Sequence, residues 1–403
     1  MAGSSRAATY VVCVLFVIVV VGIAYTYRDV RQFDPLHLRQ TTPLVDLQIM
    51  AKSDRMQAVY VRAGNLYAIE ERSVYISRDQ GNTFEVLGYL PRPSSGFKAL
   101  LKKWVAKNSY VRRLRKSPGP ASLVVLNSGT VIVVSDQIYR KAPTDTDFSI
   151  VPSVGEFLPP FESGRTLGLG PDDTLYFGEY TKGPHPKKMR IFRGSNDGLS
   201  WGVAYQFPAG QIYHVHSIEW DQYRQRFWVS TGDADSESHI FYTADNFRTL
   251  ELLGGGSQDW RAVSLLVQES RLVWGSDDGR NNSFVFEWDF TQKRLNGLAK
   301  IGNPASYIGA LADGTLLVST TYIPLTEYGK TGDAEPEAAL WASRNGQKWQ
   351  KVYTLPAAAD LSGDKRPQFR LPGGDASLPH AYVTPLYTRE HDFSVLKLGL
   401  VWK

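Results

Sequence analysis

A short turn pattern that recurs along the chain constrains the fold more than any other feature of the sequence. The segment SVYISRDQGNTFEVL carries its fullest form, with Ser77, Asp79, Gly81, Thr83 and Phe84 fitting S-x-D-x-G-x-T-[WF]. Each position has a mechanical role, because an Asp carboxylate accepts hydrogen bonds from turn N–H groups and a Gly allows a positive φ. Aromatic and aliphatic residues precede the pattern, so the turn is expected to follow a β-strand.

Three weaker copies lie further along the chain, in the segments IFRGSNDGLSW, IFYTADNFRTL and LWASRNGQKW. In the second of these, Phe247 takes the place of Gly and Leu250 that of the aromatic residue, and the last copy is one residue short. The four patterns start at positions 77, 194, 243 and 343, so one spacing is 49 residues and the other two are about twice as long. This spacing is typical of a repeat protein and predicts two further repeats, with third strands near 137–141 and 284–288.

The pattern resembles the Asp-box, or bacterial neuraminidase repeat, of the sialidase-like superfamily of β-propellers. The resemblance covers residues 55–355 and implies an all-β fold of six blades, or seven. The later segments HAYVTPLY and SVLKLGLVW are predicted strands that either close the ring with an N-terminal strand or build a seventh blade. In that superfamily the boxes join the third and fourth strands of a blade, on the face away from the ligand site. The motif residues are therefore expected to be structural.

The resemblance implies a fold more sharply than an activity, because the superfamily contains sialidases, other glycosidases and non-enzymatic receptors. A typical sialidase is not expected, since the chain lacks the Arg-Ile-Pro motif that precedes the first box in that family. The expected function is to bind or process carbohydrate, with an anionic polysaccharide as the candidate ligand and a glycoside hydrolase or polysaccharide lyase as the candidate activity. The alternative is a non-catalytic scaffold for protein interaction or assembly.

An apolar segment near the N-terminus predicts a membrane anchor. No charged residue lies between Arg6 and Arg28, and this stretch contains YVVCVLFVIVVVGIAYTY, which is long enough to cross a bilayer as a helix. We therefore expect a transmembrane helix over 7–27, a juxtamembrane linker over 28–44 and a propeller over 45–403. A cleaved signal peptide is the alternative. Because large domains are exported largely regardless of flanking charge, the propeller of this single-pass protein is expected on the extracytoplasmic side.

A basic segment interrupts the repeats between the first and second blades. Residues 97–116, FKALLKKWVAKNSYVRRLRK, contain eight Lys and Arg residues and no acidic residue, which exceeds the net charge of +5 for the whole chain. Leu101, Trp104 and Val105 share one helical face, which predicts an amphipathic helix. Such a helix can lie on anionic lipid, meet an anionic polysaccharide or remain a solvated surface helix. No nucleic-acid partner is expected, since the chain carries none of the usual binding motifs.

The direction of the predicted strands narrows the search for a ligand site. If the boxes lie on one face, the opposite face collects the starts of the first strands and the ends of the second strands. First-strand starts contribute Arg165, His214, His216, Trp260 and Arg261. Second-strand ends contribute Glu179, Tyr180, Asp233, Asp277 and Tyr322.

Three interpretations of these residues stay open. In the first, His214 and His216, which point to the same side of a strand, bind a divalent metal together with Asp233. In the second, carboxylates act as acid and base in glycoside cleavage while arginines hold an anionic sugar. The catalytic candidates are then His214, His216, Asp233 and Arg261, and the substrate-binding candidates are Arg165, Glu179, Tyr180, Trp260, Asp277 and Tyr322. In the third, the same residues form a hydrogen-bonded rim without catalysis.

Overall fold

The computed structural model describes residues 45–92, 122–152, 156–160, 165–181, 188–323, 335–359, 361 and 365–403. These residues form seven sheets. Six of the sheets contain four antiparallel strands that follow one another along the chain, and the seventh combines four strands from both ends of the chain. Across the described ranges, the helical elements are two short 3-10 turns at Asp235–Glu237 and Gln258–Trp260. The first strands of successive sheets contact one another around a ring, so the fold is a seven-bladed β-propeller with the first strands innermost.

Within each blade the strands follow one another from the central channel to the outer edge. Blades one and two comprise β2 (Gln57–Arg62), β3 (Asn65–Glu70), β4 (Ser73–Ser77) and β5 (Glu85–Tyr89), then β6 (Ser122–Val125), β7 (Val131–Val134), β8 (Ile138–Lys141) and β9 (Ser149–Val151). Blades three and four comprise β10 (Leu167–Leu169), β11 (Leu175–Gly178), β12 (Arg190–Ser195) and β13 (Ser200–Gln206), then β14 (Val215–Asp221), β15 (Arg226–Thr231), β16 (His239–Thr243) and β17 (Glu251–Gly255). Blades five and six comprise β18 (Leu266–Val267), β19 (Arg271–Gly275), β20 (Ser283–Asp289) and β21 (Arg294–Gly302), then β22 (Ala305–Ala310), β23 (Leu316–Thr320), β24 (Glu337–Ser343) and β25 (Gln350–Pro356). Blade seven comprises β26 (Gln368–Arg370), β28 (Ala381–Leu386), β29 (Ser394–Trp402) and β1 (Val45–Asp54).

The ring is closed by a seventh blade, so of the two expected blade numbers six is wrong and seven is confirmed. The two later strands both build a blade and close the ring, because β1 pairs antiparallel with β29 as the outermost strand of that blade. A short strand, β27 (Gly373–Gly374), then pairs parallel with β2 and links blade seven to blade one. The blade has no box-like turn in the sequence, and its innermost strand is only three residues long, so a count based on turns misses it.

The turn residues found in the sequence hold the hairpins between third and fourth strands. In blade one, Asp79 Oδ1 accepts from the backbone N–H of Thr83 at 2.9 Å, and Ser77 Oγ accepts from the N–H of Gly81 at 2.7 Å. The hairpin of blade four repeats this arrangement, with Asp245 accepting from the N–H and the hydroxyl of Thr249. These side chains satisfy turn donors locally, which explains their recurrence in structural terms.

Neighbouring blades pack closely through small residues and a few polar ties. Gly178 at the end of β11 lies so close to Val215 of blade four that an added Cβ would be 2.3 Å from the Val215 Cβ. Asp197, in the turn of blade three, accepts hydrogen bonds from the hydroxyls of Ser128 and Thr130 in blade two. These contacts fix the angle between blades and therefore the positions of the loops at both mouths of the ring.

Three predicted segments lie outside the described residues: the anchor over 7–27, the linker over 28–44 and the basic insertion over 97–116. In the part of the chain that the structure describes, no helix has the length and apolar character needed to cross a membrane. The first strand among the described residues, β1, starts at Val45.

Candidate functional site

One polar cluster lies where blades four and five meet, at the rim formed by first-strand starts and second-strand ends, which we call the upper rim. His214 immediately precedes β14 and His216 lies within it, while Asp233 follows β15. Arg261 lies just before β18, and Asp277 follows β19. Because the first and second strands of a blade are antiparallel, these positions fall at the same mouth of the ring, and the strand register brings the five side chains together.

Two imidazoles and a carboxylate converge in this cluster. The Nε2 atoms of His214 and His216 lie 3.4 and 3.8 Å from Asp233 Oδ1, and one ligand atom from each residue lies within 4.8 Å of the others. The two imidazole rings are buried, whereas the side chain of Asp233 is 40% exposed. Solvent therefore reaches the cluster through Asp233.

The hydrogen bonds of the two histidines define where their protons are. His214 Nδ1 lies 2.8 Å from the carbonyl oxygen of Thr181, and His216 Nδ1 lies 3.2 Å from that of Ala262. A carbonyl oxygen only accepts, so Nδ1 of His216 carries hydrogen and its Nε2 presents a lone pair when the ring is neutral, and His214 has the same arrangement when its hydrogen is on Nδ1. Donation from the outer nitrogen to a backbone carbonyl is also the usual arrangement for a histidine that ligates a metal through its other nitrogen.

Among the described residues, the Nε2 of His214 faces two acceptors. It lies 3.1 Å from the carbonyl oxygen of Gly232 in addition to the 3.4 Å contact with Asp233 Oδ1. Both ring nitrogens of His214 therefore face oxygens, and a metal ion at Nε2 would relieve the repulsion between a lone pair and these oxygens. Imidazole nitrogens with carboxylate and carbonyl oxygens form a donor set that suits Mn²⁺ or Zn²⁺. Burial, followed by the charge of His214, lowers the pKa of His216 well below its usual value, which keeps its Nε2 unprotonated.

Arg261 joins two carboxylates in the cluster. Its NH2 nitrogen lies 2.6 Å from Asp233 Oδ1 and 2.9 Å from Asp277 Oδ2. Burial raises the pKa of Asp277 to about 6, although the charge of Arg261 opposes this. Burial acts the same way on Asp233, but the hydrogen bond with His214 and the charge of Arg261 outweigh it, so the pKa of Asp233 is far below its usual value. Two neighbouring carboxyl groups thus differ in protonation near pH 6, which is the arrangement that separates an acid from a base.

Two further residues of this region have no signal in the sequence. Gly232 has a φ of +105°, and a Cβ there would be 2.4 Å from the backbone of Glu237, so only glycine places its carbonyl beside His214. Glu237 is buried, its Oε2 has no hydrogen-bond partner among the described residues, and burial raises its pKa. It lies in a 3-10 turn four residues after Asp233, and only the folded loop brings it back to the cluster.

Of the predicted substrate contacts, Tyr180 lies at the cluster, whereas Glu179 is paired with another residue and does not contact the cluster. The Tyr180 ring stacks on the His214 ring with centroids 4.2 Å apart. Glu179 is buried in an ion pair, since its Oε1 and Oε2 accept from NH2 and Nε of Arg190 at 2.6 and 3.0 Å. Its Oε1 also accepts a hydrogen bond from the backbone N–H of Leu158, so this carboxylate stabilises the segment that precedes β10.

Asp277, also a predicted contact, lies in the cluster beside Arg261, whereas the remaining three lie elsewhere. The Trp260 ring packs against Trp274 and Trp288, with centroids 5.5 and 5.9 Å away, so it covers blade five instead of lining the mouth. Tyr322 donates its backbone N–H to Pro367 between blades six and seven. Arg165 points into the central channel, where NH2 donates to the carbonyl oxygen of Pro372 at 2.9 Å. Strand position predicts where a backbone lies, whereas the Trp260 and Arg165 side chains follow contacts with residues that are distant in the sequence.

No protein-family model matches the chain, and no curated protein matches it. Solved structures with the same fold do. An oligogalacturonate lyase in complex with manganese is 12% identical, with a TM-score of 0.53 over 90% of this chain and 92% of that one. A GH74 enzyme from Niastella koreensis is 14% identical, with a TM-score of 0.50 over 76% of this chain and 46% of that one. A chain of a mitotic checkpoint complex is 10% identical, with a TM-score of 0.53 over 92% of this chain and all of that one. At these identities the similarity shows the seven-bladed propeller fold.

Proposed function

We propose that the upper rim binds an acidic polysaccharide and cleaves it by acid–base catalysis, with a divalent metal held by His214, His216 and Asp233. The observation that carries the proposal is the convergence of two buried imidazoles on a solvent-accessible carboxylate that a neighbouring arginine also contacts. The similarity to an oligogalacturonate lyase and to a GH74 enzyme supports carbohydrate as the ligand class. It does so only by analogy of fold.

The chemistry of the cluster suits a substrate with a carboxylate beside the bond that breaks. A divalent metal at His214, His216 and Asp233 supplies Lewis acidity toward such a group. Arg261 supplies a planar guanidinium at the same place, and its fork geometry matches a sugar carboxylate. Asp277, with a pKa of about 6, can give a proton to the leaving oxygen, and the ionised Asp233 can take the proton that is removed from the sugar in elimination or from the attacking water in hydrolysis.

The competing function, a protein-interaction scaffold, is less well supported by the surface. The large apolar side chains that are most exposed among the described residues are Ile49, Met50, Val86, Tyr89, Leu199, Val203, Tyr223, Leu252 and Val401. Most of them lie on outer strands of different blades, which does not make one contiguous apolar patch of the kind that marks an interface.

A cleavage assay with matched polymers tests the proposed function. The full chain, purified in a sugar-free detergent, is incubated with polygalacturonate or alginate and, in parallel, with the neutral polymer pullulan. We expect new reducing ends only from the acidic polymers, with loss of activity on chelation and recovery with Mn²⁺. Ultraviolet absorbance of an unsaturated uronate then distinguishes elimination from hydrolysis. Equal action on pullulan, or neither binding nor cleavage of any polyuronate, contradicts the proposal.

We propose in addition that the segment 7–27 anchors the propeller on the extracytoplasmic side of a membrane, and that the basic segment 97–116 contacts anionic lipid or polysaccharide. The uncharged length of the first segment and the eight basic residues of the second support this. Deletion of 7–27 is expected to move the protein from the membrane fraction to the soluble fraction. Protease added to spheroplasts is expected to digest the propeller, and protection of the propeller in intact spheroplasts contradicts the orientation.

A further inference from the structure

A polar cavity opens at the opposite mouth of the ring, away from the His214 cluster. It has a volume of about 1110 Å³ and is lined by the inner strands and by the hairpins that join first to second strands in the blades. Those hairpins turn at the mouth that also carries the box turns, which we call the lower mouth. Ligand sites typically have volumes of about 300–1,000 Å³, so this cavity has room for a short oligosaccharide.

Arg165 forms the floor of this cavity by reaching across the channel. Its backbone belongs to blade three, where its carbonyl oxygen accepts from the N–H of Ile218 in blade four. Its NH2 nitrogen donates to Pro372 beyond β26 and lies 3.5 Å from the position that a Cβ on Gly309 of blade six would take. A guanidinium with only 7% of its residue exposed therefore lies near the middle of the channel.

Glu219 stands beside this guanidinium without a direct hydrogen bond to it. Its Oε1 is 3.9 Å from Arg165 NH1, which is too far for a hydrogen bond, and this buried oxygen has no hydrogen-bond partner among the described residues. The side chain of Glu219 is nevertheless 25% exposed, so a hydroxyl group in the cavity can reach this carboxylate beside the guanidinium. A sugar hydroxyl meets both groups, because it accepts from the guanidinium and donates to the carboxylate. Burial also raises the pKa of Glu219 to about 7, so it can donate as well as accept.

The rim of the cavity has an exposed tyrosine side chain, and carboxylates outnumber arginines in the lining. Tyr223, in the hairpin of blade four, is 49% exposed and lines the opening. The charged lining residues are three arginines against five carboxylates: Arg62, Arg165 and Arg271, with Glu219, Glu269, Glu287, Asp289 and Asp375. An acidic surround disfavours a polyanion, whereas a flat ring above polar groups suits a neutral sugar.

We propose that the lower mouth is a second ligand site, which takes the end of a neutral oligosaccharide so that one hydroxyl bridges Arg165 and Glu219 and a sugar ring covers Tyr223. This site shares no residue with the cluster of His214, His216, Asp233, Arg261 and Asp277 and differs from it in charge preference. The proposal is therefore independent of the proposed cleavage of acidic polysaccharide.

An array of neutral oligosaccharides of glucose, galactose, mannose and N-acetylglucosamine, printed beside polyuronate fragments, tests the site. The full chain is applied in a sugar-free detergent. Gly309→Leu fills the floor, since Gly309 has an ordinary backbone conformation and its Cβ would meet only the Arg165 guanidinium. Gly202→Leu, at a β13 position with nothing within 4 Å of an added Cβ, is the matched control. Tyr223→Ala changes the exposed rim without touching the core.

We expect the wild-type chain and Gly202→Leu to bind neutral oligosaccharides, and Gly309→Leu and Tyr223→Ala to bind them at least 10-fold more weakly. The His214→Ala/His216→Ala variant is expected to keep this binding. Absence of binding to every neutral oligosaccharide, binding unchanged by Gly309→Leu and Tyr223→Ala, or loss of binding in the histidine variant would each overturn the proposal. Binding to the polyuronate fragments reports on the upper rim separately, so failure of one site is distinguishable from failure of the other.

Discussion

The His214→Ala/His216→Ala variant is expected to bind Mn²⁺ at least about 100-fold more weakly than the wild-type chain. Loss of a group that merely orients a ligand already costs 10- to 100-fold in metal affinity, and this variant removes two of the three candidate ligands. Only Asp233 would remain, and it is held by Arg261. Isothermal titration of metal-free protein with Mn²⁺, repeated with Zn²⁺, measures the change.

A variant that lacks two histidines outside the cluster serves as the control for the metal experiment. His239→Ala/His380→Ala removes two other histidines, and neither residue belongs to the cluster that can hold a metal. This control is expected to bind Mn²⁺ as the wild-type chain does. Equal affinity of both double variants would mean that the cluster is a hydrogen-bonded rim and not a metal site.

Arg261→Ala is expected to lower kcat/KM on polygalacturonate or alginate by about 100- to 1,000-fold, the range seen when a preorganised charge donor is removed from an active site. Arg261 contacts both carboxylates of the pair, and its charge opposes the rise in the pKa of Asp277. Without it, the pKa of Asp277 moves further above 6, so the basic limb of the pH–rate profile is expected to shift to higher pH together with the loss of rate. A purely structural role would lower the rate without moving that limb.

Arg280→Ala serves as the control for Arg261→Ala. Arg280 lies on the same loop after β19, its side chain is exposed, and only its backbone N–H contacts Asp278. Its kcat/KM and pH profile are expected to match those of the wild-type chain. Thermal melting of both variants verifies that the propeller remains folded. If Arg261→Ala retains wild-type kcat/KM, the guanidinium has no part in the reaction.

The repeat pattern predicts most of the strands because its turns are local. The second strands predicted to end near Glu179, Asp233, Asp277 and Tyr322 are β11, β15, β19 and β23, and the inferred third strands near 137–141 and 284–288 are β8 and β20. Asp79 and Ser77 explain this, since they bond to donors within four residues and need no distant partner. The repeat pattern does not predict blade seven, because the outer strand of this blade comes from the other end of the described chain and a local pattern does not contain that pairing.

The sequence also predicts the positions of candidate-site residues where local strand pairing sets them, and not where distant contacts do. Sequence position identifies His214, His216 and Asp233 because the hairpin of β14 and β15 brings their backbones together. It misassigns Glu179 because the partner, Arg190, lies on the third strand, and the ion pair depends on burial that the sequence does not display. Glu219 gives no signal at all. It lies inside a regular strand, and its role depends on the channel formed by all the blades.

The pairing of β1 with β29 has a consequence for how the chain folds. Ser394 Oγ donates to Asp54 Oδ1 at 2.9 Å, a contact that joins residues 340 positions apart. During synthesis β1 emerges early, and it has no partner until β29 has left the ribosome. Until then its unpaired N–H and C=O groups form an edge that can add to another chain. Folding of this propeller is therefore expected to be slow at its last step and most exposed to misassembly just before the ring closes.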